Sequence, residues 1–230
     1  MKVKQFKPFG LPLLIFIFSL LGNYWIWSFW SKNKYWEFLL MIGISCLLVL
    51  FNARKGPAKF LLLFLPLLVI LLKPGSKTIF YLNDLDIYSV NQRRSYYQNP
   101  LLGRFFENKL NRYVFNYEKN LFEGIDINYY FFATHPRERL GVDEIKKFPE
   151  LVLPLFLIGL YFSLKRKQLL SIFYFLSSLL IAAFFSPIDT FSFFFFPFLV
   201  INIYFGIKEC LIFFISTRRK PSPLTDELDK

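Results

Sequence analysis

The chain has 230 residues, of which 55% are hydrophobic and 21% aromatic, and its formal net charge is +12. The apolar residues form long blocks with the charges between them, which excludes a disordered chain, a disulfide scaffold and an ordinary soluble enzyme. Both cysteines, Cys46 and Cys210, lie inside apolar blocks and indicate neither a disulfide framework nor a metal site. Because the charges flank apolar blocks, the basic excess indicates membrane orientation and no nucleic acid partner.

Six apolar segments predict an all-α integral membrane protein with about six transmembrane helices, because a hydrocarbon core about 30 Å thick requires roughly 20 apolar residues. The predicted spans are residues 10–30, 35–51, 60–72, 151–164, 169–186 and 191–207. The third is only ~20 Å long, so it either crosses with snorkelling of its flanking lysines or is re-entrant. After the sixth, Lys208 and Glu209 interrupt the pattern, and residues 210–216 either extend the helix or lie along the interface.

Clusters of Lys and Arg flank these segments on one side, the pattern that sets orientation in a membrane. The four clusters lie within residues 2–7, 54–59, 165–167 and 218–220. The short loops on the opposite side carry only Lys32 and Lys34. This distribution predicts a multi-pass protein of the cell membrane with both termini in the cytoplasm.

The same pattern divides the chain into four parts. They are an N-terminal membrane region (1–72), an external domain (73–147) between helices 3 and 4, a C-terminal membrane region (148–217) and a cytoplasmic tail (218–230). The basic residues of the external domain do not contradict this orientation, because long loops cross largely regardless of charge. The first apolar run is too long for a cleaved signal peptide, so it predicts an uncleaved anchor.

The external domain contains a predicted amphipathic helix over residues 99–123. Asn99 is a good N-cap, Pro100 suits the first helical position, and Gly124 provides a stop. A single helix of roughly 24 residues would be about 36 Å long. It either packs on the loop and spans or lies on the outer membrane surface with its aromatic residues at headgroup depth.

The candidate catalytic residues are Asp84 and Asp86, the only acids of this domain that the spacing nominates. Two carboxylates in a D-x-D pattern can hold a divalent cation against a diphosphate sugar, although the same pattern is common in solvated turns. No cofactor is identified from the sequence, and dependence on a divalent metal stays open.

The candidate residues for binding a lipid phosphate are four arginines and the single histidine. Arginine offers forked donors that match a phosphate group, and a lone histidine without a carboxylate partner suits a structural or phosphate-facing role better than general-base catalysis. These residues are Arg93, Arg94, Arg137, Arg139 and His135. The alternative is that the arginines are solubilising charge.

Other classes of chemistry lack their motifs in this sequence. It contains no P-loop, no G-x-S-x-G, no H-E-x-x-H and no paired C-x-x-C. Charge is nearly absent from the predicted spans, which disfavours an ion-coupled transporter or a proton relay.

Three stretches of the chain resemble the downstream part of bacterial membrane glycosyltransferases of the protein-mannosyltransferase and aminoarabinose-transferase type. They are NPLLGRFFENK (99–109), FNYEKNLFEGIDINYYFFATHPRERLG (115–141) and FPELVLPLFLIGLYF (148–162). The resemblance covers residues 84–162, roughly a third of the chain. It implies a membrane scaffold in the cell envelope with a surface for lipid phosphate or acceptor.

The sequence departs from that family where the family's catalytic carboxylate lies, in the first external loop. Here that loop is Ser31–Tyr35 and contains no acid, and Glu37 lies at the membrane edge. The resemblance therefore implies a shortened relative without the catalytic N-terminal half. It would be non-catalytic alone and would bind membrane lipid phosphate or a partner, such as a larger glycosyltransferase subunit. The alternative is an active glycosyltransferase, or a subunit of one, that transfers a sugar from a polyprenyl-phosphate donor.

Overall fold

The computed structural model describes residues 10–52, 57–71, 78–82, 84–132, 147–185 and 192–218. Within these ranges the chain is helical and contains no β-strand, so the predicted all-helical class is confirmed for them. A single isolated antiparallel bridge joins Thr78 and Phe185. The α-helices are α1 (Gly10–Leu21), α2 (Tyr24–Ser31), α3 (Tyr35–Asn52), α4 (Leu65–Leu71), α5 (Asp84–Ser95), α6 (Pro100–Phe106), α7 (Lys109–Ile125), α8 (Ile127–Phe131), α9 (Leu153–Lys165), α10 (Leu170–Ala182) and α11 (Phe196–Arg218).

The predicted number of six spans is wrong for the described residues. Two helical stretches are long and apolar enough to cross a membrane, Tyr35–Asn52 and Phe193–Thr217. A third is obtained only if α1 and α2, which meet at an angle of 57°, count as one bent span. The other apolar segments form shorter helices: α9 and α10 have 13 residues each, or about 20 Å of helix. Hydropathy marked apolar segments correctly but did not fix where each helix ends.

The first predicted span bends because the backbone is interrupted at Gly22 and Asn23. The buried Asn23 side chain donates to the Leu20 carbonyl at 2.8 Å and accepts from the Ile26 amide at 3.0 Å. These bonds satisfy groups that the break would leave unpaired, and in an apolar environment each unpaired group is costly. Asn23 therefore ends α1 and starts α2 with little loss of hydrogen bonding.

The last helix continues through Lys208 and Glu209, which decides between the two alternatives for residues 210–216 in favour of an extended helix. The two terminal guanidinium nitrogens of Arg166, at the C-terminal end of α9, each donate to one oxygen of the Glu209 carboxylate at 2.6 Å. This forked ion pair offsets the cost of a carboxylate that is largely buried. Glu209, which interrupts the apolar pattern in the sequence, thus contributes a contact between α9 and α11.

The closest packing in the described fold is between α9 and α11, and it depends on two glycines. A Cβ atom at Gly159 would lie 1.7 Å from the carbonyl oxygen of Asn202, and one at Gly206 would lie 1.9 Å from that of Leu155. Both neighbours are backbone atoms, so a side chain at either position forces the helices apart. Small residues that bring helix backbones together are typical of helix pairs in membranes.

Polar and aromatic contacts continue along this pair. The Ser163 hydroxyl donates to the buried Asn202 side chain at 2.9 Å. The rings of Phe156 and Phe198 lie 5.8 Å apart near the helix starts, whereas Arg166 at the end of α9 meets Glu209 further along α11. Contacts that follow the same order in both helices show that α9 and α11 run in the same direction. Helices α1, α3 and α10 also pack against α11.

Many large apolar side chains of the apolar helices remain exposed. Examples are Leu14, Phe18, Trp36, Leu50 and Phe213. Monomeric soluble proteins rarely expose apolar surface on this scale, whereas helices in contact with lipid require it. Together with the length and hydropathy of α3 and α11, this makes membrane association plausible.

We predict that Gly206→Ala lowers the stability of the helix bundle, because the added methyl group meets the Leu155 carbonyl. The expected loss is about 1–3 kcal/mol, the usual cost of overpacking. The matched control is Gly43→Ala, also within a helix, where a Cβ meets nothing within 4 Å. Thermal unfolding in detergent should show a lower midpoint for Gly206→Ala and no decrease for Gly43→Ala. Equal midpoints for the two variants would contradict the close contact.

Candidate functional site

The segment predicted as one helix over residues 99–123 is two helices, so that prediction is wrong. The N-terminal part is confirmed, since the Asn99 side chain accepts from the Leu101 amide and Pro100 occupies the first turn of α6. The chain then breaks at Glu107 and Asn108, and the Asn108 side chain caps α7 by accepting from the Asn111 amide at 2.8 Å. The break turns α7 relative to α6 and creates a corner that faces α5.

Helix α7 is attached to the C-terminal end of α10 through a buried asparagine. The Asn120 amide donates to the carbonyls of Ala183 and Phe185 at 3.1 and 2.9 Å. The Tyr117 ring lies 4.8 Å from that of Phe184, and burial raises the pKa of the Tyr117 hydroxyl. Asn120 thus satisfies carbonyls at the end of a helix, which otherwise have no intrahelical partner. The segment was predicted either to pack on the loop and spans or to lie on the outer membrane surface. On this side of α7 the structure shows packing, against the end of the apolar helix α10.

Helix α8 is attached to the membrane helices at the bend between α1 and α2. The Trp25 amide donates to the Lys147 carbonyl at 3.1 Å, and the Phe148 amide donates to the Tyr130 carbonyl at 2.9 Å. The Trp25 and Tyr130 rings lie 5.9 Å apart, and the Lys147 ammonium lies 5.3 Å from the Trp25 ring. The segment after α7 is therefore held by aromatic and cation–π contacts.

The two candidate catalytic acids lie in the first turn of α5 and have different surroundings. Residues two apart on a helix do not face each other, so Asp84 and Asp86 do not converge as ligands for one cation. Asp86 forms an ion pair with Arg112 of α7, whose Nε donates to the carboxylate at 3.1 Å. The two side chains are 18% and 21% exposed, respectively. Asp84 is exposed to solvent.

The two neighbouring arginines at the end of α5 also differ. Arg94 donates from Nε to the Glu107 carbonyl at 2.6 Å and so holds α5 to the corner between α6 and α7. Arg93 is exposed, and its guanidinium has no hydrogen-bond or ion-pair partner among the residues that the structure describes. Arg94 is thus occupied by a structural contact, whereas Arg93 is available to a ligand.

A cavity of about 240 Å³ lies at this corner between α5, α6 and α7. Residues that line it include Ser89, Arg93, Asn108, Asn111, Arg112 and Phe115. The Arg112 guanidinium lies 5.2 Å from the Phe115 ring, which orients it while it pairs with Asp86. Glu107 also lines the cavity, so the two guanidinium groups are balanced by the carboxylates of Asp86 and Glu107. The donors that the cavity offers are the exposed Arg93 guanidinium and nearby amide and hydroxyl groups. This combination suits an anion with several acceptor oxygens, such as a phosphate group.

The remaining sequence candidates, His135, Arg137 and Arg139, lie outside the described residues. Within the described ranges, no three His, Cys, Asp or Glu side chains lie close enough to hold a metal ion. The two cysteines of these ranges are both free.

Comparison with known proteins finds no matching family model, no matching curated protein and no matching solved structure.

Three residues that shape this site were not singled out as site residues by sequence. Asn108 had a detectable signal, because asparagine is a poor residue inside a helix and a preferred N-cap. Arg112 had no such signal, because its pairing with Asp86 spans 26 residues and leaves no local pattern. Asn120 looks like an ordinary polar residue of an amphipathic helix until its contact with α10 is known.

We predict that Asn120→Leu loosens α7 from α10, because the carbonyls of Ala183 and Phe185 lose their donor. Leaving buried acceptors unpaired costs about 1–3 kcal/mol. The matched control is Asn116→Leu, on the same helix, whose side chain makes no hydrogen bond within the described ranges. Amide hydrogen exchange of residues 109–125 should become faster in Asn120→Leu alone. Unchanged exchange in that variant would contradict the attachment.

Proposed function

We propose that this protein binds the phosphate headgroup of a polyprenyl lipid at the outer membrane face and is not catalytic alone. The single observation that carries the proposal is the cavity between α5, α6 and α7, with Arg112 fixed in its wall and Arg93, which has no partner among the described residues, beside it. A phosphate placed there would accept forked hydrogen bonds from Arg93 and amide hydrogen bonds from Asn108 or Asn111. The apolar rings of the cavity wall suit the start of a lipid chain.

The surroundings of the acids favour binding over glycosyl transfer. A transferase needs a base that deprotonates the acceptor while positive groups stabilise the leaving phosphate. The Asp86 carboxylate is engaged by Arg112. Asp84 lies on another side of α5 and is exposed. Neither candidate acid is therefore placed as a base beside the arginines of the cavity, and the acid that does line it is Glu107.

The proposed orientation follows from the basic clusters that flank the apolar helices. Residues 165–167 lie on the cytoplasmic side, so the opposite end of α10, where α7 is attached, faces outward. Helices α5 to α8 then lie at the external face, which requires α4, α9 and α10 to cross a locally thinned bilayer although they are shorter than a full span. Cysteine labelling of positions 78 and 166 in sealed vesicles tests this, since only position 78 should react from outside.

The resemblance to membrane glycosyltransferases remains part of this proposal. It supports a role beside a larger glycosyltransferase subunit that supplies the catalytic acid. Purification of a complex with such a subunit, active only when both chains are present, is the expected result for a shortened relative.

We predict that Arg93→Gln weakens binding of a polyprenyl phosphate, because one forked donor to the phosphate is lost. The expected decrease in affinity is about tenfold, corresponding to ~1.4 kcal/mol. The matched control is Lys119→Gln, which removes the same charge from α7 outside the cavity and should change affinity little. Titration of each purified variant in detergent measures its affinity for the polyprenyl phosphate. The unphosphorylated polyprenol is titrated as a second ligand.

Two results would contradict the proposal. Equal affinity for the phosphate and the alcohol would remove phosphate recognition. Sugar transfer by the purified chain from a polyprenyl-phosphate sugar, abolished by Asp84→Asn or Asp86→Asn, would establish the catalytic alternative instead.

A further inference from the structure

An apolar ridge lies on the side of α6 that faces away from α5. We define the ridge as Leu101 and Phe105 of α6 together with Leu110 in the first turn of α7, which are 72%, 72% and 66% exposed. Gly103 lies on the opposite side of α6, where a Cβ atom would be only 3.0 Å from the Arg94 carbonyl. The tight contact at Gly103 orients α6, so its ridge points outward and is not covered by the described part of the fold.

We propose that the ridge enters the outer leaflet of the bilayer that holds the membrane helices, at the level where anionic headgroups meet the acyl chains. The charge around the ridge argues for this occupant. Between residues 93 and 112 the chain carries five basic residues, Arg93, Arg94, Arg104, Lys109 and Arg112, against the single acid Glu107. Apolar side chains interleaved with exposed cations are the pattern of segments that lie in an anionic membrane interface.

The same charge argues against a second copy of the chain on the ridge. A symmetric contact would place the same patch of each copy face to face. Arg104 and Lys109, which are exposed beside the ridge, would then meet their own counterparts with only the half-buried Glu107 between them in sequence to compensate. Anionic headgroups neutralise these cations, whereas a second copy adds to the repulsion.

Attachment of α7 to α10 supports the location. Asn120 binds carbonyls at the end of an apolar helix, so the C-terminal part of α7 lies at the boundary of the apolar region. From Asn120 to Leu110 is ten residues, or about 15 Å of helix, so a course of α7 along the membrane surface keeps Leu110 at the interface. The ridge is therefore within reach of the interface without any change in the fold.

The test is site-directed spin labelling in vesicles that contain anionic phospholipid. Cys46 and Cys210 are first replaced by Ala, and single cysteines are introduced by Phe105→Cys, Leu101→Cys or Glu118→Cys. Glu118 is exposed on α7 and serves as the position expected in water. Collision of the nitroxide with oxygen and with a water-soluble nickel chelate reports the depth of the label in the bilayer. Only labelled samples whose thermal unfolding midpoint equals that of the unlabelled parent are used, so that the protein is folded.

The expected result is a depth of about 5–10 Å for labels at 101 and 105, with high oxygen and low nickel accessibility. The label at 118 should show the reverse. High nickel accessibility at both ridge positions would overturn the proposal, since the ridge would then lie in water. Dipolar broadening at 105 with low access to both reagents would also overturn it, because a second copy would cover the ridge. Both results are independent of polyprenyl phosphate, so their outcome is separable from that of the Arg93→Gln titration.

Discussion

The backbone contact between α9 and α11 is the constraint on which the rest of the structure depends. Gly159 and Gly206 allow each helix to approach a carbonyl of the other, and no other residue type fits at these distances. The close approach brings Ser163 within hydrogen-bond distance of Asn202 and lets Arg166 reach Glu209. Water does not compete for the buried Ser163–Asn202 bond, whereas in the forked pair the Glu209 carboxylate is buried and the Arg166 side chain is partly exposed. They fix the relative position of the two helices along their length as well as their separation.

The candidate site is positioned by a series of attachments that starts from this pair. Helix α10 packs against α11, and its C-terminal carbonyls are the acceptors for Asn120. Asn120 fixes α7, and the pairing of Arg112 with Asp86 then fixes α5. The cavity lies where these helices meet, so its geometry is set by contacts far from its own wall. A site built in this way remains rigid only while the membrane helices hold α10 in place.

Sequence patterns predicted the parts of this structure that depend on local chemistry. Helical class, the cap at Asn99 and the apolar character of α3 and α11 all follow from composition and residue type within a few positions. The bend at Asn23 and the break at Asn108 were not predicted, because hydropathy does not register a side chain that satisfies the backbone of its own helix. The pairing of Asp86 with Arg112 joins separate helices and is determined only by the fold. Of the candidate site residues, Arg93 and Asp86 lie close to the cavity, while Arg94 has a structural contact instead.

We propose that a lipid phosphate occupies the cavity between α5, α6 and α7. Photo-crosslinking tests it most directly, with a polyprenyl phosphate that carries a diazirine close to its headgroup and the purified protein in nanodiscs. The account predicts adducts on peptides from residues 89–115, and excess polyprenyl phosphate should remove them while the polyprenol does not. Adducts spread over α3 and α11, insensitive to competition by the phosphate, would contradict it.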